Sequence, residues 1–335
     1  MECSSSSAVS SAGPAPFAAA EIQSSSLGER EIASLELSPT DLEEESSRAS
    51  YEPSKRHAFD LVGAGREASM GDFNHFIENV AQLQVEALQR PVEPDTAVRV
   101  VCVRHGMGHH NDAFQTASFM NRDADLNRVG ISQATETGNV LRASGLFERP
   151  LLVVISPMTR TIQTALQVFG SDEWEHPTIL QPLAAETSVA SRLPGPRLAR
   201  KALANVQQGD HGSTAADLSK KFGQHPQFDF ATLGDYCRRM GPKWDVGGEH
   251  EGKWWHHGHH SKIESKAEDS LARSAELRAW LAQEALDRGL ATILLVSHGG
   301  ILKQTFCTDS FANAEFRCFD MTESGDFKPS FQTSQ

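Results

Sequence analysis

Val98-Arg-Val-Val-Cys-Val-Arg104-His105-Gly106 is a β-branched apolar run that stops at a histidine followed by glycine, and 193 residues later Thr292-Ile-Leu-Leu-Val-Ser-His298-Gly299-Gly300 does the same. A continuous apolar run of this length suits a strand buried on both faces of a parallel sheet. Ligands of open α/β sheets bind beyond the carboxyl ends of the strands. Two histidines are thus expected side by side at the edge where chemistry takes place.

Working outward, the chain alternates strands with helices. A helix is predicted over 127–144, with Val129, Ile131, Ala134, Val140 and Leu141 on its apolar side. A strand follows over 151–155, then a helix opened by Ser156 as N-cap and Pro157 at its first position. Thr178 to Leu180 reads as a short strand, and 264–287 as a helix ended by Gly289. The last buried strand is read at 292–296, with a helix starting at Gly300. This alternation predicts a three-layer α/β/α sandwich around a mostly parallel sheet. Residues 190–262, rich in Gly, His and Trp, are expected to form a lid-like insertion over the sheet edge. The domain as a whole is placed at 96–325.

Ahead of it, residues 1–55 are rich in Ser, Ala and Glu and poor in apolar content, which predicts a disordered tail. Residues 56–95 read as a linker whose amphipathic helix, 72–88, carries Phe73, Phe76, Ile77, Val80, Leu83, Val85 and Leu88 and is expected to dock on the domain. Pro91 and Pro94 then break the chain.

Across 335 residues the formal net charge is −13, which offers nucleic acid or an anionic membrane no basic face. No apolar stretch approaches the roughly 20 residues that span a bilayer. The five cysteines (Cys3, Cys102, Cys237, Cys307, Cys318) are scattered and none pairs at ligand spacing. They read as reduced thiols, which points to the cytoplasm. The N-terminal segment has no Arg or Lys before Arg30, which argues against a transit peptide.

His105 follows a strand directly, and neutral imidazole at such a position is a competent nucleophile toward phosphorus. Arg104 beside it offers a planar fork for phosphate oxygens, and Gly106 lets the backbone turn sharply. Arg160 falls in the first turn of its helix, where a cation opposes the macrodipole and gains nothing for the helix. It is therefore expected to face an anion. His298 is the second imidazole; if cationic, it completes a site with two arginines around a dianionic phosphate. Asp125 and Gln133 are assigned to fixing the start and the packing of the 126–134 helix. His109 and His110 sit close enough to His105 for one to touch substrate. The run Trp254-Trp255-His256-His257-Gly-His259-His260 is read as a lid loop rather than a metal site, since zinc ligands come from separated segments.

Four segments in order (Arg104-His105-Gly106; Asp125-Leu126-Asn127-Arg128-Val129-Gly130 with Gln133-Ala134; Ser156-Pro157-x-x-Arg160-x-x-x-Thr164; Ser297-His298-Gly299-Gly300) resemble the histidine phosphatase superfamily, the phosphoglycerate mutase-like family, over about 97–320. The resemblance implies a metal-independent enzyme without cofactors in which His105 becomes phosphohistidine. It places Arg104, Arg160 and His298 in the phosphate pocket, matches Asn111 to an asparagine that contacts the phosphoryl group, and puts Glu186 where the general acid belongs. Mutases of the family continue Arg-His-Gly with Glu-Ser-x-Trp-Asn, whereas here Met107-Gly-His-His-Asn111 stands. The expected activity is therefore phosphomonoester hydrolysis, acting on a small phosphorylated metabolite or a phosphopeptide. A phosphoglycerate-type mutase and a non-catalytic phosphate-binding scaffold are the alternatives.

Overall fold

A computed structural model describes residues 70–92, 96–111, 122–170, 173–186, 212–235, 266–306 and 309–330. The tail 1–55, the first part of the 56–95 linker, the Trp254–His260 run and Cys3, Cys237 and Cys307 lie outside the described residues. Those described all belong to one compact unit, Pro53–Gln335.

In chain order the elements are α1 (Ala81–Gln89), β1 (Val98–Arg104), α2 (Arg128–Ala143), β2 (Leu152–Ile155), α3 (Thr159–Phe169), β3 (Thr178–Leu180), α4 (Ala215–Phe222), α5 (Lys266–Arg288), β4 (Thr292–Ser297), α6 (Gly299–Phe306), β5 (Phe316–Met321) and β6 (Phe327–Pro329). The strands form one sheet in the order β3-β2-β4-β1-β5-β6. β3, β2, β4 and β1 run parallel, whereas β5 is antiparallel to β1 and β6 to β5.

The central strands alternate their side chains between two apolar layers, as the period of two requires. Val101, Val103, Val153, Ile155, Leu294 and Val296 face the side covered by α1 to α4. Val100, Cys102, Leu152, Val154, Ile293 and Leu295 face the side covered by α5 and α6. The three-layer sandwich with a mostly parallel sheet is the architecture observed.

The structure departs from the sequence reading in particular places. Thr292–Ser297 is not the last buried strand, because β5 follows it with five of its six residues buried. The predicted helix 72–88 is two helical stretches, 70–79 and α1, separated by a turn at Val80. They do dock: Phe76 meets Phe316 edge-on at 5.3 Å, and Gln84 accepts the amide of Cys318 at 2.9 Å. The helix from Ser156 starts instead at Thr159, with Met158 at the N-cap position and no side-chain bond from it. Its amide is capped by Asp123, whose carboxylate accepts the Thr159 N–H and Oγ1–H, both at 2.8 Å, and the Ser213 amide at 3.0 Å.

Within the predicted insertion, 212–235 holds α4 and a second helical stretch, 230–235. Leu218, Phe222, Phe228, Phe230 and Leu233 join the α1–α4 layer. Among the described residues no helix is long and apolar enough to cross a membrane.

Candidate active site

The parallel register of β1 and β4 pairs Arg104 with Ser297, and the His105 amide donates to the Ser297 carbonyl at 2.9 Å. Two strands 193 residues apart therefore release their histidines at the same level. The rings of His105 and His298 lie 5.1 Å apart, edge to face. β2 ends one strand over, where the Ser156 amide donates to Val296 at 3.0 Å. From there α3 returns Arg160, fully buried, to the same place.

The loop after β1 is fixed amide by amide. Gly106 N–H donates to Thr164 Oγ1 (3.1 Å), Met107 N–H to Gln133 Oε1 (3.0 Å), and Gly108 N–H to Asn111 Oδ1 (3.0 Å). Gln133 therefore braces this loop from across the gap. Its part is thus in the packing of α2, whose start Asn127 caps by accepting the Gly130 amide at 2.9 Å. Asp125 acts at that helix start through Gln163, which donates to its carboxylate at 2.7 Å and accepts the Leu126 amide at 2.7 Å. The loop and α2 approach so closely that a Cβ on Gly130 would stand 2.1 Å from the Met107 carbonyl.

Each imidazole is set by its partners. His105 Nδ1 is 2.7 Å from the Gly106 carbonyl. A carbonyl only accepts, so Nδ1 carries the proton and Nε2 keeps its lone pair. Arg160 Nε–H points at His298 Nδ1 at 3.2 Å, and Ser156 Oγ lies 2.8 Å from His298 Nε2. Arginine only donates, so Nδ1 is the acceptor and Nε2 the protonated nitrogen.

His298 is thus neutral, not the imidazolium considered from the sequence. Burial, first of all, and then Arg160, His105, His110 and Arg273 hold its pKa well below the ordinary value. Burial, Arg160, Arg104 and His110 do the same for His105, against the opposing bond to Gly106. His110, its ring 5.4 Å from that of His105, is also held well below the ordinary value, by burial and then by Arg160, Arg104 and His109. These are the desolvation and like-charge effects expected of imidazoles packed beside arginines.

Arg104 Nη1 donates to the Phe311 carbonyl at 2.5 Å, while its buried Nε–H has no partner among the described residues. His110 Nδ1 is a second buried nitrogen without one. Unpartnered buried nitrogens of this kind call for a partner. Glu186 follows the short helical turn after β3, and its Oε2 accepts the Gly300 amide at 3.3 Å in the first turn of α6. Its charge acts directly on Arg104. Arg273 of α5 holds the backbone there, donating to the Ala185 and Glu186 carbonyls at 3.0 and 3.2 Å.

The structure therefore brings Arg104, His105, Arg160, His298 and Glu186 together, and gives Asn111 a bracing contact in the adjoining loop. Sequence reasoning missed the supports Thr164 and Asp123 and misassigned Ser156. Thr164 and Ser156 lie inside a quoted motif; Asp123 had no local signal. Among the described residues no group of three or more His, Cys, Asp or Glu is placed to hold a metal ion.

Residues 100–188 match the family model of the histidine phosphatase superfamily, branch 1. A phosphoglycerate mutase-like protein of Arabidopsis thaliana is 32% identical over 217 residues, 60% of this chain and 70% of that one. Phosphoglycerate mutase-like protein 1 of the same plant is 26% identical over 215 residues, 62% and 70% of the two chains. A solved mycobacterial glucosyl-3-phosphoglycerate phosphatase, in complex with VO3, overlaps 71% of this chain and 100% of its own at 19% identity, with a TM-score of 0.38. The chain belongs to the histidine phosphatase superfamily, within its phosphoglycerate mutase-like family.

Proposed function

We propose that the protein is a phosphomonoester hydrolase working through a phosphohistidine on His105. One observation carries this: the Nδ1–H of His105 is bonded to the Gly106 carbonyl, so Nε2 keeps its lone pair as a nucleophile, with Arg160 and Arg104 near enough for their charges to act on the ring. Nε2 attacks phosphorus and forms an N–P bond while the P–O ester bond breaks. Glu186 gives the departing oxygen its proton. Water then attacks the phosphohistidine, Glu186 takes the water's proton, and the N–P bond returns its electron pair to Nε2.

Arg104, Arg160 and His298 hold the phosphoryl oxygens, with Asn111 at the rim. Phosphoryl transfer needs mainly this positioning and charge neutralisation, so no metal or cofactor enters. The replacement of Glu-Ser-x-Trp by Met107-Gly108-His109-His110 favours net hydrolysis over mutase exchange. A small phosphorylated metabolite is the substrate class proposed, with a phosphopeptide second. The buried thiols of Cys102 and Cys318 fit a cytoplasmic setting.

The test is a rapid acid-avoiding quench after mixing with p-nitrophenyl phosphate in EDTA. Wild type is expected to carry base-stable, acid-labile phosphate and to release phosphate to water, and His105→Ala to do neither. Full turnover by His105→Ala would remove His105 from the nucleophile role. Glu186→Gln is expected to slow esters with poor leaving groups at least 10-fold more than p-nitrophenyl phosphate; equal slowing would take Glu186 out of the acid role.

A further inference from the structure

Ser156 is fully buried and its hydroxyl is spent on His298 Nε2, not on the helix that follows it. On the other side of the ring Nδ1 faces the Nε–H of Arg160. The three side chains form one buried line, in which the guanidinium donates to a lone pair and the imidazole donates to a hydroxyl. A hydroxyl oxygen accepts from an N–H whether the ring is neutral or cationic, so Ser156 suits both states of His298.

We infer that Ser156 is a positioning residue that keeps the His298 proton on Nε2, so that Nδ1 meets a bound phosphoryl group as a lone pair and binding takes up one proton. This inference rests on the phosphate pocket of the proposed function. The pocket prefers the ester as its monoanion, or equivalently takes up the dianion together with one proton from water. That proton lodges between Nδ1 and a phosphoryl oxygen; no covalent bond to phosphorus forms or breaks in this step. Arg160 turns its Nε–H from Nδ1 to the ligand, and Nε2–H stays on Ser156.

Among the described residues, the charged and titratable groups that act on His298 are Arg160 from α3, His105 and His110 from the loop after β1, and Arg273 from α5. All either carry positive charge or lack negative charge, so the empty pocket keeps the ring neutral. An incoming anion reverses that balance. His105 is committed elsewhere, because its Nδ1 proton is held by Gly106.

The experiment is calorimetric titration of the full-length protein with inorganic phosphate at pH 8, in buffers of different ionisation enthalpy, which reads the protons taken up. Nitrogen-15 spectra of the histidines locate them. Wild type is expected to take up close to one proton per phosphate, and His298 to pass from one protonated ring nitrogen to two. Ser156→Ala, shown folded by near-ultraviolet circular dichroism, is expected to bind phosphate about 10-fold more weakly with reduced uptake, and Ser156→Thr to restore both. No proton uptake by wild type, a proton arriving on His105 or His110, unchanged behaviour of Ser156→Ala, or no phosphate binding at all would each overturn the inference. Failure of the phosphohistidine label with proton-coupled phosphate binding intact would instead overturn the proposed chemistry alone.

Discussion

His298 and Ser156 sit at the ends of neighbouring strands, and their bond explains why the serine before Pro157 does not cap a helix. A serine hydroxyl beside a buried imidazole removes two desolvation costs at once, whereas α3 finds its cap in Asp123. The strand-end residues Arg104, His105 and His298 were legible because an apolar run that halts at a polar residue is a one-dimensional signal. Arg160 was legible because a cation in a first helical turn is out of place there. Ser156, Gln133 and Thr164 were not, since their partners lie 142, 26 and 58 residues away and no periodicity encodes such pairs. Cys318 illustrates burial as the leading cause: its thiol is pushed up to about 12 by desolvation, with Arg99 opposing the rise and Asp320 adding to it. Its thiolate is scarce at ordinary pH, so native protein treated with iodoacetamide at pH 8 is expected to leave Cys318 unlabelled in peptide maps. Labelling at the rate of a free thiol would mean that β5 opens.

At the level of elements, α2 and the loop after β1 are pressed together at Gly130 and Gly106. A Cβ on Gly106 would lie 2.4 Å from the Gly130 carbonyl, the counterpart of the Gly130 contact with Met107. Backbone meets backbone there, so no side-chain rotation relieves the clash. Gly130→Ala is expected to destabilise the fold by about 3 kcal/mol and to cut turnover more than 10-fold by displacing His105. Urea unfolding and kinetics on the purified variant check this; a loss under 1 kcal/mol would show that the contact relaxes cheaply. Helices α2 and α5 and the parallel strands were read from their patterns to within a residue or two. β5 escaped because its pattern is broken by charge. Arg99 on β1 stands directly opposite Asp320 on β5, and the two form a buried bidentate pair at 2.7 and 3.1 Å. Arg99 Nη1 also donates to the carbonyls of Ala87 and Arg90, both at 2.8 Å, and so ties down the end of α1. A buried ion pair reads as two surface residues when only the sequence is in view.

Across the whole molecule, three neutral histidines in one pocket make stability depend on pH. His105, His110 and His298 are all held well below their ordinary value, so in acid the unfolded chain binds protons that the native state refuses. The unfolded state then holds more protons, and stability falls as pH drops below about 6.5, by up to about 1.4 kcal/mol per pH unit for each such histidine. Above that pH both states are neutral and these groups contribute no slope. Urea midpoints at pH 7.5 and 5.5 are expected to differ accordingly, with bound phosphate reducing the difference; an unchanged midpoint would mean that the pocket admits protons without unfolding. The sheet order carries a last consequence, for the growing chain. β4 is inserted between β2 and β1, although it is made after both. A ribosome that has delivered every residue up to Glu186 has produced three strands, of which β1 and β2 belong apart, each with an open edge awaiting the same late partner. Such edges invite mispairing with one another or with other chains. The enzyme's two halves must therefore be kept from joining prematurely, and a polypeptide stopped short of Thr292 is expected to be a substrate for chaperones rather than a weaker catalyst.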